Sequence, residues 1–208
     1  MILIEKSELV HSNGSRSICE IKHGWDLKTS LQCDTLWKQA SLDLLCQIMT
    51  QNYEDQELAE IISSILREDD HWEWFAKAMA FRSEEYKWFH LFADDKPQAA
   101  CVIYHPKQSA LHTGSIFYIE FVAVAPWNRA CKIRHRDFLR VGSTLVRATL
   151  RFAVNELKLQ PGFCLHSLPG ANGFYKALQM INVPEYNKDE MLYFELSQDL
   201  AKDMMEIS

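Results

Sequence analysis

The chain has 208 residues, of which 48% are hydrophobic and 12% aromatic, and this length and composition suit one domain with a sizeable buried core. Its net charge of −6 argues against general nucleic-acid binding, because a duplex footprint needs a broad basic face. No uninterrupted apolar run reaches 18 residues and the opening MILIEKSELVHS contains only a short one, so we expect neither a membrane span nor a signal peptide.

The first 83 residues predict short strands followed by helices. Ile2 to Ile4 and Ser17 to Lys22 are possible strands on either side of a turn signal at Ser12 to Ser15. Apolar residues then recur at helical spacing in three segments. These segments are Leu36 to Met49 with Thr35 as its N-cap, Leu58 to Leu66, and the aromatic-rich stretch His71 to Phe81.

The rest of the chain predicts a mixed sheet with helices. Two antiparallel strands are expected in a hairpin, Tyr86 to Phe92 and Ala99 to Tyr104. The elements expected after it are a strand from Phe117 to Ala125, a helix from Gly142 to near Leu159, a strand from Phe163 to Leu168, a short helix from Ala171 to Gln179 and a strand from Met191 to Ser197. The fold class is therefore α+β, with a mostly antiparallel sheet.

A local basic segment lies between the strand ended by Pro126 and the helix opened by Gly142. Residues 129–140 contain five basic residues against the single Asp137, so this segment carries +4 and the rest of the chain −10. The first turn of a helix presents unpaired N–H groups and a positive dipole end, which together bind anions. A small polyanion is the ligand that fits a basic loop followed by a helix; the alternative is an ordinary solvated loop.

The order of these elements, together with the words IEFVAVAPWNR, VGSTL, LHSLPGANGFY and LYFELS, resembles the GNAT superfamily, the Gcn5-related N-acetyltransferases. The resemblance covers roughly residues 84–197. It implies a single GNAT-like domain over 1–208, in which 84–197 form the acetyl-CoA-binding core and 1–83 form the variable, largely helical side that faces the acceptor.

The turn that binds the pyrophosphate in this family departs here from its usual pattern, [RQ]-x-x-G-x-[GA]. Aligning the last glycine on Gly142 puts Asp137 where Arg or Gln is usual and Arg140 where the first glycine is usual. Arg140 cannot let a phosphate approach as closely as glycine does, so the altered signature bears on how tightly coenzyme A binds.

The resemblance implies which residues hold acetyl-CoA. The turn and first helical residues would bind the pyrophosphate through backbone N–H groups, and the main chain of the preceding strand would hold the pantetheine arm. The cofactor-binding residues expected on this basis are Arg140, Val141, Gly142, Ser143 and Thr144 in the turn, and Phe121, Val122, Ala123 and Val124 in the strand.

Two residues are candidates for the chemistry of acyl transfer. Glu120 is the one charged residue in an apolar strand, where partial desolvation would raise its pKa and suit it as the base; alternatively it pairs with a basic residue such as Arg129. The resemblance implies that Tyr175, in the word Gly-Phe-Tyr, is the acid for the departing thiolate, and the alternative is that it packs under the sheet. His166 and Ser167 are weaker candidates.

Other site types have less support. Cys164 with His166, and Cys131 with His135, lack further partners at zinc spacing, so we expect no metal, and none of the six cysteines has the partners of a nucleophile. The scattered cysteines predict reduced thiols and a cytoplasmic location. The aromatic cluster of Trp72, Trp74 and Phe75 either lines the acceptor site or packs helices onto the sheet.

The sequence thus predicts an N-acyltransferase that moves an acetyl group from acetyl-CoA directly to a primary amine, on a small molecule or a peptide. The alternative is a GNAT-like module that binds coenzyme A without turnover. Nucleic acid and membrane are not expected partners, and the sequence leaves the acceptor, the acyl length and the oligomeric state open.

Overall fold

The computed structural model describes residues 1–65 and 68–207. Nine strands form one sheet in the order β6-β1-β2-β3-β4-β5-β7-β9-β8. The strands are β1 (Ile2–His11), β2 (Arg16–His23), β3 (Tyr86–Ala93), β4 (Lys96–Gln108), β5 (Ser115–Val124), β6 (Phe138–Leu139), β7 (Phe163–Ser167), β8 (Ile181–Asn182) and β9 (Leu192–Glu195). All neighbouring strands are antiparallel except β5 and β7, which are parallel.

Helices cover both faces of the sheet. They are α1 (Leu27–Met49), α2 (Asp55–Ile65), α3 (Trp74–Ala80), α4 (Val141–Asn155), α5 (Asn172–Ala177) and α6 (Gln198–Glu206). On one face α4 packs its apolar stripe, including Leu145 and Ala148, against Phe89 and Ile103 of the sheet. On the other face α1 and α3 contribute Trp37 and Trp74 to a second cluster. Across the described ranges, no helix is long and apolar enough to span a bilayer.

The sheet opens between its two parallel strands. β5 and β7 pair only at Phe117 with Phe163 and at Tyr118 with Cys164. Beyond this point Ile119 and residues 121–124 continue to pair with β4, and among the described residues 119–124 have no partner on the β7 side. The result is a cleft whose walls are the carboxyl-terminal halves of two diverging strands.

Several predicted boundaries were wrong for local reasons. α1 begins at Leu27 rather than after Thr35, because the Asp26 carboxylate accepts a hydrogen bond from the Thr29 N–H at 2.8 Å and caps the helix there. Thr35 lies inside the helix, where its hydroxyl donates to the Leu31 carbonyl oxygen at 2.8 Å. α4 ends at Asn155, earlier than expected. Leu66 lies outside the described residues.

Short elements whose partners are distant in sequence escaped prediction. β6 pairs Leu139 with Val10, and β8 pairs Asn182 with Phe194. The first two strands are also longer than their apolar patterns indicated, since β1 and β2 pair along most of their length. Pairing across the sheet therefore extends strands that the local pattern leaves short.

A buried histidine in β3 makes stability sensitive to acid. His90 is fully buried between Trp88 and Phe92, and neither ring nitrogen has a hydrogen-bond partner among the described residues. Burial lowers its pKa from 6.5 to about 4, and the charge of Asp26 opposes this only in part. The unfolded chain therefore binds a proton at His90 at higher pH than the folded chain does. As a result, the contribution of His90 to the free energy of unfolding is fully present above pH 6.5 and is lost as the pH falls towards 4.

We expect the free energy of unfolding to fall by roughly 1 kcal/mol between about pH 7.5 and about pH 5.5 from His90 alone. Urea unfolding at the two pH values measures this. Burial also lowers the pKa of His23, His105 and His166, so the variant His90→Leu is needed to isolate the contribution. An equal loss of stability in wild type and variant would contradict the assignment.

Candidate functional site

Two cavities meet at the cleft between β5 and β7. The first, about 410 Å³, lies on the α4 side, and we call it the α4 cavity; its wall includes Val124, Gly142 and Phe174. The second, about 420 Å³, lies under residues 68–73 that connect α2 and α3, and we call it the α2–α3 cavity; its wall includes Trp72 and Glu120. The residues common to both walls are Asp69, Ile119, Val122, Ala171 and Tyr175. These five residues mark the junction where molecules entering from the two sides would meet.

The amino-terminal end of α4 opens into the α4 cavity. Arg140 is the N-cap residue, and its side chain makes no capping hydrogen bond. The first helical bond runs from the Thr144 N–H to the Arg140 carbonyl oxygen at 2.9 Å, so the three preceding amides have no partner within the helix. Val141, Gly142 and Ser143, which carry these amides, line the cavity. This end of the cavity therefore has the donors and the dipole that favour an anion.

Arg140 has a backbone conformation that glycine adopts more easily than other residues. Its φ of 58° and ψ of 20° lie in the left-handed region, which costs an L-residue about 1–2 kcal/mol. Gly142 lies close to β5, since a Cβ atom there would lie 3.3 Å from Cγ1 of Val124, which is a tight contact. A long basic side chain therefore lies in the wall of the cavity at a left-handed position of the turn.

Some basic side chains of residues 129–140 are bound to other residues of the chain, and others are not. Arg129 and Lys132 form ion pairs with acidic residues, and Arg134 donates to the Pro126 carbonyl oxygen at 3.0 Å. Arg136 and Arg140 are exposed, line the α4 cavity and form no ion pair within the described ranges. Two guanidinium groups therefore supplement the amides of the helix.

A β-bulge lies in β5 at the cleft. Ile119 pairs with Ile103 and Phe121 with Val102, so Glu120 is an extra residue without a partner on β4. A bulge of this kind bends the strand and turns consecutive side chains to the same face. Ile119 and Val122 pack on the α4 side, whereas Phe121 packs on the α1 and α3 side. The bulge thus redirects the strand where both cavities reach it.

Glu120 lies half-buried in the wall of the α2–α3 cavity. Burial raises the pKa of its carboxyl, and the charges of Lys188 and Lys77 oppose that rise in part. The carboxylate forms no hydrogen bond or ion pair with any residue that the structure describes. The predicted alternative, a pair with Arg129, is not formed, because Arg129 binds Asp69 and Asp70. A carboxylate that is partly desolvated and without a partner is suited to accept a proton near neutral pH.

Tyr175 lies at the junction. It belongs to α5, packs against Phe194 with ring centroids 5.9 Å apart, and lines both cavities. Burial raises the pKa of its phenol to about 12, so the hydroxyl keeps its proton at neutral pH. Its hydroxyl has no hydrogen-bond partner in the described part of the chain. Tyr175 thus packs against a residue of the sheet and also lines the cleft, and its role as the acid stays a prediction.

His166 and Ser167 are engaged in hydrogen bonds. Nε2 of His166 lies 2.8 Å from the Tyr186 carbonyl oxygen, which can only accept, so Nε2 carries the hydrogen. Nδ1 then accepts from the Tyr118 hydroxyl at 2.8 Å. Burial lowers the pKa of His166, consistent with a neutral ring. The Ser167 hydroxyl donates to the Leu168 carbonyl oxygen, so neither residue offers a free group to a substrate.

The three residues of the aromatic cluster have different environments. Trp74 is buried in the core, Phe75 is exposed, and Trp72 lines the α2–α3 cavity with its ring centroid 5.1 Å from that of Phe121. The Lys77 ammonium lies 3.5 Å from the centroid of the Phe121 ring. Burial lowers the pKa of Lys77, and the charge of Glu120 opposes this. An aromatic face beside the cavity thus already holds a cation of this chain.

The nine residues that were expected to hold the cofactor do not all line the same cavity. Seven of the nine line the α4 cavity, namely Val122, Ala123, Val124, Arg140, Val141, Gly142 and Ser143. Phe121 faces the α2–α3 cavity instead, because the bulge turns it to that side. Thr144 is buried, and its N–H already bonds to Arg140.

Asp69 is a site residue that the sequence analysis missed. Its oxygens accept from Nη1 and Nη2 of Arg129 at 3.1 and 2.8 Å, and the side chains of both residues are 16% exposed. In the sequence it stands among charges after an apolar helical pattern, and Arg129 lies 60 residues away, so no local signal marks it. Within residues 1–65 and 68–207, no group of three or more His, Cys, Asp or Glu side chains is arranged to hold a metal ion.

Comparisons with known proteins agree with this architecture. A scan of protein-family models and a search of curated proteins both returned no match. Among solved structures, FdhC, a nucleotide-linked sugar GNAT, matches with a TM-score of 0.52 and 11% identity over 96% of this chain and 93% of that chain. The GNAT domain of S. lividans PAT matches with a TM-score of 0.50 and 11% identity over 92% of this chain and 96% of that chain. The predicted fold class is confirmed, with a mixed, mostly antiparallel sheet flanked by helices.

Proposed function

We propose that this chain, whose fold is that of the GNAT N-acetyltransferases, transfers an acetyl group from acetyl-CoA to a primary amine. The observation that carries the proposal is the continuity of the two cavities. An anion-binding helix terminus opens one of them, a candidate base lines the other, and a candidate acid lies at their junction.

Charge and the available backbone donors support coenzyme A as the ligand of the α4 cavity. The amides of Val141, Gly142 and Ser143, with Arg136 and Arg140, are donors suited to a pyrophosphate. The open edge of residues 119–124 offers backbone groups to the amides of a pantetheine arm. Acetyl-CoA supplies an acetyl group that is already activated as a thioester.

The residues of the chain then have two tasks. Glu120 accepts a proton from the acceptor ammonium, so that the amine nitrogen has a free electron pair for the thioester carbonyl carbon. The C–N bond forms, the C–S bond breaks, and Tyr175 donates its proton to the departing sulfur. The nitrogen of the new bond then loses its second proton to the Tyr175 phenolate, and Glu120 returns its proton to solvent, so the products are an amide and a free thiol. This is direct transfer with no acyl-enzyme.

Thiol release from acetyl-CoA, followed against a panel of primary amines, tests the proposal. We expect turnover with at least one amine, and we expect Tyr175→Phe to lower kcat more than about tenfold because the thiolate then leaves without a proton donor. Coenzyme A binding by the variant, measured by calorimetry, should match that of wild type. An unchanged kcat would remove Tyr175 from its role.

A second candidate function is a module that binds coenzyme A without turnover. It is supported by the departure from the family signature, in which Asp137 and Arg140 stand at the positions of the usual Arg or Gln and of the first glycine. Both candidates predict coenzyme A binding that salt weakens. Binding without turnover of any amine in the panel would support the module and contradict the transferase.

A further inference from the structure

We infer that Trp72 determines which acceptors fit the α2–α3 cavity, because its ring separates this cavity from a larger apolar cavity beside α1. An acceptor with a compact body is admitted, whereas an apolar tail that extends towards α1 is stopped at the ring. The inference rests on the proposed function only in taking the α2–α3 cavity as the acceptor side of the cleft. It assigns a substrate class, primary amines with a compact body, and the residue that selects it.

A third cavity, of about 720 Å³, runs beside α1, and we call it the α1 cavity. One wall belongs to residues 31–45 of α1, which span about 20 Å along the helix axis, and the other wall to residues 69–76. The larger apolar side chains in its walls are Leu31, Trp37, Leu42, Leu45, Trp74 and Phe75. An apolar chain that entered this cavity would leave water, which is favourable.

The α1 cavity adjoins the α2–α3 cavity. Among the described residues, Asp69 and Trp72 line both. Asp69 accepts from Nη1 and Nη2 of Arg129 at 3.1 and 2.8 Å, and Nε of Arg129 donates to the Val124 carbonyl oxygen at 2.9 Å, so this ion pair is fixed to the sheet. The boundary between the two cavities therefore consists of a fixed ion pair and one indole ring.

Three neighbouring side chains hold the ring of Trp72. Its centroid lies 5.1 Å from that of Phe121 and 6.1 Å from that of Trp74, both in edge-to-face geometry. The Lys77 ammonium lies 5.0 Å from the Trp72 centroid and 3.5 Å from the Phe121 centroid, so one cation contacts both rings. Phe121 follows Glu120 in the bulge, which places this boundary next to the candidate base. A tail could pass towards α1 only by displacing the ring.

Replacing Trp72 with Ala removes the ring and leaves the rest of the boundary in place. The ion pair of Asp69 and Arg129 does not involve the indole. The Trp72 N–H donates to the Asp69 carbonyl oxygen at 3.1 Å, and this backbone bond does not depend on the side chain. In the variant the α2–α3 cavity should therefore open into the α1 cavity, so that an apolar tail can continue into it.

Butylamine and octylamine are suitable probes, since they share one cationic head group and differ by four methylenes. Their dissociation constants are measured by calorimetry on the protein saturated with coenzyme A, where no reaction occurs. The ratio of the butylamine constant to the octylamine constant reports what the longer tail gains. Each fully buried methylene strengthens binding about fourfold, so we expect Trp72→Ala to raise this ratio at least about tenfold over wild type, as if two of the four enter the α1 cavity.

Phe75→Ala is the matched control. It also removes an aromatic ring from the wall of the α1 cavity, but Phe75 does not line the α2–α3 cavity, so the ratio should stay within about twofold of wild type. Trp72→Phe keeps a ring at the boundary and should raise the ratio less than Trp72→Ala does. Neither position lines the α4 cavity, so all three variants should bind coenzyme A as wild type does, which also shows that they are folded.

The ratio separates selection by Trp72 from a general loss of structure, because a loosened cavity would weaken both amines alike. The inference is overturned if Trp72→Ala gives the wild-type ratio, if Phe75→Ala raises the ratio as much, or if neither amine binds any of the proteins. A ratio that follows Trp72 in a protein that acetylates no amine contradicts the proposed function and leaves the selection by Trp72 standing.

Discussion

Replacing Glu120 with Gln should lower kcat for amine acetylation at least about a hundredfold, the range in which general bases contribute. Gln has nearly the same size and cannot take up a proton, so the cavity keeps its shape and loses the base. The variant should bind coenzyme A as wild type does, because Glu120 lines the α2–α3 cavity and not the α4 cavity. Steady-state kinetics with an amine that the panel identifies measures the change.

The pH profile distinguishes a base from a structural carboxylate. A base must be deprotonated, so kcat/KM should fall as pH decreases through the pKa of Glu120, which burial has raised above its ordinary value. That acidic limb should disappear or shift in Glu120→Gln. Glu73→Gln is the matched control, since Glu73 is an exposed residue of the α2–α3 loop that does not line this cavity. Equal losses in the two variants would contradict the role of Glu120.

Replacing Gly142 with Asp should weaken coenzyme A binding more than about a hundredfold, a loss of roughly 3 kcal/mol. A carboxylate would stand among the amides that are expected to hold phosphate, and the new Cβ atom would press on Val124 at 3.3 Å. The helix itself should not suffer from the charge, because an acidic residue in the first turn interacts favourably with the macrodipole. Calorimetric titration with coenzyme A measures the loss.

Gly173 provides the control for this prediction. It also lies in the first turn of a helix, α5, but a Cβ atom there would meet nothing within 4 Å. Gly173→Asp should therefore leave coenzyme A binding within about twofold of wild type, since no phosphate donor is affected. If Gly142→Asp bound coenzyme A as tightly as Gly173→Asp, the helix terminus would not be the phosphate site.

The sequence predicted the parts of the site that lie within a single element. Gly142 at the start of a helix and Glu120 within an apolar strand are local features, and the structure has a helix terminus at the first and a half-buried carboxylate at the second. Tyr175 was identified from a short word of sequence, and it lies at the junction. Their chemical roles remain proposals.

Features that depend on contacts between distant segments could not be predicted from the sequence. Asp69 gains its environment from Arg129, which no pattern in the sequence connects to it. The bulge arises from register with β4, so Phe121 packs on the α1 and α3 side although Ile119, two residues earlier in the same strand, packs on the α4 side. The left-handed backbone at Arg140 likewise follows from the turn as a whole, because arginine itself disfavours it.

A crystal structure of the protein with coenzyme A tests the central claim most directly, because the claim concerns where the phosphates and the sulfur lie. We expect pyrophosphate oxygens within about 3 Å of the amide nitrogens of Val141, Gly142 and Ser143. The sulfur should lie within hydrogen-bond reach of the Tyr175 hydroxyl, with the pantetheine arm along residues 119–124. Coenzyme A bound elsewhere, with the first turn of α4 facing only solvent, would contradict the account.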